Sequence, residues 1–230
     1  MPKILLIGDS TSNDMNLLLS NINLDKFQLR IQNISYKCQF MLYDKRNEIE
    51  FYKNDINLIN SCEKGTDVVL NSLLVKEADV IVISFDWRDF IVKEGFEKAL
   101  IKLKEQTDAE IIILGKRPYL TKNAKQFINH ALIEHNNVND FEHYIYKNKK
   151  MDSVNNSIKN YSKNLGLKFI DTTNFLCNDK KQICYMFDEE DNLLYRDSFH
   201  FSIYGAKFFA QDFYNRFIKN DIDLVAKEKK

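Results

Sequence analysis

Hydrophobic residues fall into short uninterrupted runs separated by stretches with helical spacing. Lys3–Ile7, Ala78–Ser84 (with Val80-Ile81-Val82-Ile83 at its centre) and Glu110–Leu114 are the continuous runs. Their length predicts strands covered on both faces, as in a parallel sheet packed between helices. Phe27–Ile34 alternates apolar and polar residues with a period of two and predicts a more exposed strand; Lys168–Ile170 predicts a last, short one. Helical spacing marks 14–21, a segment capped by Thr66 and running to about Lys76, Phe90–Glu105, Asn123–His135 and Met151–Leu165 with Gly166 as its C-cap. Ser202–Ile218 closes the chain, with Phe208, Phe209, Phe213 and Phe217 on its apolar side. Between Tyr36 and Asn60 the pattern is weaker; Met41–Tyr43 and Ile49–Tyr52 predict a hairpin around Asp44–Glu48.

Alternation of strand and helix predicts an α/β fold, a three-layer αβα sandwich around a mainly parallel, flavodoxin-like sheet with right-handed crossovers. Sites in such sheets form beyond the carboxyl ends of the strands, where strand order reverses. Functional residues are therefore expected just after strands.

Composition narrows the picture. The 230 residues contain two prolines and no Pro-, Gly- or Ser-rich divider, so one domain over 1–230 is expected. Basic and acidic residues balance at 33 each and the basic ones are scattered, which argues against a nucleic-acid partner. No run approaches the roughly eighteen apolar residues of a membrane helix. The run after Lys3 is too short for a signal-peptide core. A cytoplasmic chain is expected on this reading, with the periplasm left open for a domain excised from a larger exported protein. Cys38, Cys62, Cys177 and Cys184 form no Cys-x-x-Cys pair and are expected to be reduced, with Cys177 and Cys184 the one pair able to bridge in an oxidising compartment.

Two clusters carry candidate chemistry. The first strand ends in Gly8-Asp9-Ser10, which places a serine at a helix N-terminus beside free N–H groups. A serine nucleophile needs an exposed hydroxyl next to donors for an oxyanion, although a strand followed by a serine N-cap has the same pattern. Near the other end stands Asp197-Ser198-Phe199-His200, leading into the last helix. An aspartate three residues before a histidine can orient the imidazole and leave its second nitrogen to take the serine proton. His130, His135 and His143 are read as surface residues, so no metal is expected, and no cofactor. The first strand lacks the glycine pattern of a phosphate-binding loop, which disfavours a nucleotide-binding flavodoxin-like domain.

With these residues in view the chain resembles the SGNH (GDSL-type) hydrolases, and within them the SGNH domains that accompany membrane acyltransferases in bacterial surface-polysaccharide modification. Val80–Trp87, Ile111–Pro118, Cys177 with Cys184, and Asp197–Ala206 match that group's pattern. The resemblance implies Ser10 as nucleophile, His200 as general base and acid, Asp197 as its orienter, and the Ser10 N–H as one oxyanion donor. It implies Gly65 as the second-block loop glycine, which is equally read as an ordinary turn. The third block departs: Ser84-Phe85-Asp86-Trp87-Arg88-Asp89 has no asparagine where most members place an oxyanion donor. Trp87 or Arg88 is the candidate replacement, with Arg88 also able to hold an acidic substrate group. The competing reading puts Trp87 in the core and pairs Arg88 with a nearby aspartate. The implied activity is acyl, chiefly acetyl, ester chemistry on a carbohydrate hydroxyl. The partners are a glycan or small-molecule acyl ester and an acyl donor such as acetyl-CoA or a membrane acyltransferase. The alternative is a non-catalytic glycan-binding or scaffolding domain that retains the fold.

Overall fold

A computed structural model of the chain describes residues 1–22, 24–40, 55–120, 126, 149–178 and 183–228. Five parallel strands form the central sheet: β1 (Lys3–Gly8), β2 (Gln28–Asn33), β3 (Val80–Ser84), β4 (Glu110–Leu114) and β5 (Lys168–Ile170). Their spatial order is β2-β1-β3-β4-β5. The chain goes from β1 to β2 on one side and returns past β1 to β3 on the other, so strand order reverses between β1 and β3. Gly8 pairs with Asn33 and with Ser84 across this point.

The uninterrupted apolar runs have a simple cause. Ile4, Leu6, Val80, Val82, Ile112 and Leu114 point into one core, shared with Met15, Leu18, Phe209 and Phe213. Leu5, Ile7, Ile81, Ile83, Ile111 and Ile113 point into the other, shared with Val69, Phe96, Leu100 and Ile158. Both parities of each strand are buried, so no polar alternation survives. β2 lies at the sheet edge, and its partly exposed residues account for its period of two.

Helices cover both faces. They are α1 (Ser10–Leu19), α2 (Ile56–Leu70), α3 (Leu73–Glu77), α4 (Asp89–Ile91, a π turn at Val92–Phe96, then Glu97–Gln106) and α5 (Lys149–Leu165). They continue with α6 (Thr173–Leu176) and α7 (Ile203–Phe213, a π turn at Tyr214–Ile218, then Lys219–Glu228). Gly166 follows α5 at φ 67°, the left-handed C-cap conformation its position predicts. α7 runs beyond the predicted end at Ile218. The start at Thr66 is corrected. α2 begins at Ile56, where the Asp55 side chain accepts from the Leu58 N–H at 3.0 Å, and Thr66 lies buried in its interior. Ile59, Cys62, Thr66 and Val69 make one buried face at helical spacing. The predicted 41–52 hairpin lies outside the described residues, as does the 123–135 helix except for Gln126, which is helical.

The expectation of reduced thiols is also corrected. Cys177–Cys184 cross-links a short antiparallel pair, β6 (Cys177–Asn178) and β7 (Ile183–Cys184), in which the two cysteines are register partners. Cys38–Cys62 ties the segment after β2 to α2, a pairing set by tertiary approach across a sequence separation of 24. Both bonds stand against a cytoplasmic setting, where thiols are kept reduced. Among the described residues no helix is long and apolar enough to cross a membrane.

Candidate active site

The site grows from the end of β1. A Cβ on Gly8 would lie 1.8 Å from the Ser84 carbonyl oxygen and 2.8 Å from Ser12 Cβ, so only glycine lets β1 turn here against β3. Asp9, almost fully buried, then caps α1. Its Oδ1 accepts from the Thr11 N–H and hydroxyl (3.0 Å each), and its Oδ2 accepts from the Asp86 N–H (3.1 Å). Burial raises the Asp9 pKa, and the three donors only partly offset it. Thr11 Oγ1 meets Ser84 Oγ at 3.0 Å. One carboxylate thus joins the start of the helix to the loop after β3. Ser10 stands between them in the first turn of α1, where its N–H has no intrahelical acceptor.

The partner residues arrive from the far end of the chain. Tyr195 and Phe201 form an antiparallel bridge, and Arg196 N–H donates to the His200 carbonyl, which closes a tight turn. Inside it Asp197 Oδ1 accepts the N–H groups of Phe199 (3.0 Å) and His200 (2.9 Å). Asp197 Oδ2 lies 2.6 Å from His200 Nδ1, and His200 Nε2 lies 2.8 Å from Ser10 Oγ. Partial burial pushes the Asp197 pKa up, but the hydrogen bonds from His200 and Phe199 outweigh it and hold the carboxyl below its ordinary range. Asp197 is therefore ionised at neutral pH. Beside an ionised Asp197, the neutral tautomer that suits this geometry has its proton on Nδ1, donated to Asp197, and leaves Nε2 to accept from the serine hydroxyl.

A buried ion pair lies beside these residues. Arg117 Nη1 is 2.7 Å from Asp14 Oδ2, with both side chains nearly inaccessible (4% and 2% exposed). Arg117 Nη2 donates to the Thr11 carbonyl, the Phe201 N–H reaches Asp14, and the guanidinium covers the Phe201 ring at 4.5 Å. The pair fastens α1 to the turn that carries His200.

The remaining sequence candidates separate. Gly65 lies within α2 rather than in a loop before a helix, so its N–H belongs to the helix ladder and the assigned role is corrected. Trp87 is buried, donates its indole N–H to the Leu114 carbonyl at 2.6 Å and packs on Phe85 and Phe96. With that donor committed, its oxyanion role is corrected too. Arg88 is partly exposed; its N–H donates to Gln39 Oε1 and its guanidinium lies 5.3 Å over the Tyr36 ring. His130, His135 and His143 lie outside the described residues. Among the described residues no group of three or more His, Cys, Asp or Glu is placed to hold a metal.

Four residues without an assigned role shape the site. Gln39, at φ 52°, is buried; its Nε2 donates to the Asp86 carbonyl (2.5 Å), so its amide brackets Asp86–Arg88. Lys116 Nζ lies 2.5 Å from Asp86 Oδ1. Tyr119 packs at a tilt on Phe199 with ring centroids 4.8 Å apart, and Phe199 on His200 at 3.9 Å. Burial, with the charge of Asp86 and a hydrogen bond to it, raises the Tyr119 phenol far above its ordinary range. Lys116 and Tyr119 follow the β4 strand at the sheet edge where sites form, the one signal that could have located them.

Residues 1–215 match the family described as "SGNH domain (fused to AT3 domains)". No curated protein matches the sequence. Among solved structures the fold is similar to the lipopolysaccharide acetyltransferase periplasmic domain of Salmonella ser. Paratyphi A. The TM-score is 0.69 at 17% identity, covering 94% of this chain and 83% of that one. More distant are an aryl esterase of M. smegmatis (TM-score 0.49, 11% identity, 94% and 98% covered) and Est24, a carbohydrate acetylesterase of Sinorhizobium meliloti (0.47, 10%, 99% and 99%). The first of these shows a shared fold, the α/β sandwich expected from the strand pattern.

Proposed function

The chain belongs to the SGNH domain family whose members are fused to AT3 domains, and from that premise we propose that it is a serine-dependent carbohydrate O-acyl esterase or O-acyltransferase working through Ser10, His200 and Asp197. One observation carries the reading: a continuous hydrogen-bonded path from the Ser10 hydroxyl through the imidazole to the Asp197 carboxylate. These groups come from segments separated by 190 positions, so the path is a product of the fold.

In the proposed reaction Ser10 Oγ attacks the acyl carbonyl as its proton passes to His200 Nε2. The resulting imidazolium faces an ionised Asp197, which stabilises it without taking the proton. The Ser10 N–H and the positive end of α1 face the oxygen on which charge develops. Collapse breaks the ester C–O bond, or the C–S bond of a thioester donor, and the leaving alcohol or thiol takes the proton from His200. Water or a sugar hydroxyl then attacks the acyl-Ser10 by the same steps in reverse. Exclusion of water by a bound acceptor separates transferase from esterase.

The acyl donor is proposed to be acetyl-CoA or a membrane acyltransferase domain of the kind to which this family is fused, and the acceptor a bacterial surface polysaccharide. Arg88 is retained as a cation for an acidic substituent. Residues 1–230 are taken as a single domain. The two disulfides support an oxidising compartment such as the periplasm.

The test is mass spectrometry of the chain after a single turnover with p-nitrophenyl acetate, with and without acceptor oligosaccharide. The reading expects acetyl on Ser10 and none on Ser10→Ala; label moving to sugar identifies a transferase, and loss to water an esterase. A wild type that never acquires the label at Ser10 supports the non-catalytic scaffold instead.

A further inference from the structure

The loop after β3 presents a difficulty for the serine mechanism. Asp86 is held beside Asp9 by its own N–H (3.1 Å), and Asp9 immediately precedes the nucleophile. Burial raises the Asp9 pKa and the Asp86 charge adds to that rise, so the same charge opposes a second negative charge developing on an acyl oxygen at the adjacent Ser10.

Lys116 answers that charge, and it is firmly held. Its N–H donates to Asn155 Oδ1 at 2.7 Å, and its carbonyl accepts from the Thr172 hydroxyl at 3.1 Å and from Asn155 Nδ2 at 3.3 Å. Asn155 and Thr172 are both buried. The side chain, 18% exposed, ends with Nζ 2.5 Å from Asp86 Oδ1, 2.9 Å from the Trp87 carbonyl and 5.1 Å above the Tyr119 ring. That ring leans on Phe199, which leans on His200, so the ion pair joins the loop after β3 to the aromatic wall that carries the imidazole.

Resting on the serine mechanism proposed above, we propose that Lys116 is a charge-compensating residue of this site: its ammonium neutralises Asp86 so that negative charge can develop on the acyl oxygen. The competing role is a mechanical brace between the loops after β3 and β4. The two roles respond differently to removal of Asp86. Compensation makes the rate track the summed charge of positions 86 and 116, whereas a brace is lost from either side.

The experiment measures the second-order rate of fluorophosphonate labelling of Ser10 at low ionic strength, on the full chain with its disulfides intact. Thermal unfolding is recorded for each variant. Lys116→Met is expected to label about tenfold or more slowly, and Lys116→Arg to stay within about threefold of wild type. Asp86→Asn is expected to label faster than wild type, and the Asp86→Asn/Lys116→Met double variant to return to within about threefold of it. Should Lys116→Met fail to fold, Asp86→Asn decides by itself. A slower Asp86→Asn, or equal rates in all variants, overturns the inference while leaving the serine mechanism standing. Absence of Ser10 labelling in the wild type overturns both.

Discussion

Asp197 is the side chain that does most to fix the geometry around His200. Its carboxylate shapes the turn through two backbone N–H groups and orients His200 through a third bond. Asp197→Asn is expected to keep the fold but favour the wrong imidazole tautomer, cutting Ser10 acylation by on the order of ten-thousandfold; burst kinetics with p-nitrophenyl acetate check this. Because the folded pKa of Asp197 lies below its ordinary value of 3.8, its contribution to stability is fully present above that value and is lost as pH falls through the lowered one. Chemical denaturation between pH 3 and 7 should accordingly show no loss attributable to Asp197 until the pH drops below the ordinary carboxylate range. Asp9 has the opposite sign. Its raised pKa means that stability declines as pH rises from its ordinary value through the folded one.

Among elements, the attachment of α1 to the His200 turn governs whether Ser10, His200 and Asp197 come together. Asp14→Ala leaves Arg117 charged, buried and without its carboxylate, and is expected to cost about 3–5 kcal/mol by urea unfolding. Asp14→Leu with Arg117→Met removes both charges and should recover most of that loss. The β1–α1 turn is less forgiving. Gly8→Ala sets a methyl 1.8 Å from a backbone oxygen that cannot move without parting β1 from β3. A loss of about 3 kcal/mol or more is expected, seen as a lowered unfolding midpoint or an insoluble product. That glycine is legible in the sequence as a turn; the neighbour that forbids a side chain is not, since Ser84 is distant along the chain.

For the molecule as a whole, the two disulfides make its stability depend on redox conditions. Cys38–Cys62 closes a loop of 24 residues, worth about 3 kcal/mol by loop-closure entropy. Cys38→Ser/Cys62→Ser should therefore unfold at clearly lower denaturant, as should the wild type in strong reductant. Since Cys38 adjoins Gln39, which brackets Asp86–Arg88, the same change should slow Ser10 labelling. The five strands of the main sheet, the helices α1, α4, α5 and the first part of α7, and the local form of the Ser10 and Asp197–His200 segments are legible in the amino-acid pattern, because burial on two faces and turn chemistry leave local signatures at Lys3–Ile7, Val80–Ser84 and Asp197–His200; the start of α2 and the β6–β7 pair are not. Gly65 and Trp87 mislead because a helix-interior glycine resembles a turn and an indole gives no sign of which carbonyl it will meet. What tertiary structure alone decided is pairing at a distance: Ser10 with His200, Asp14 with Arg117, Lys116 with Asp86, Cys38 with Cys62. Each depends on which strand ends become neighbours when β1 is flanked by β2 and β3, and no local periodicity encodes that adjacency.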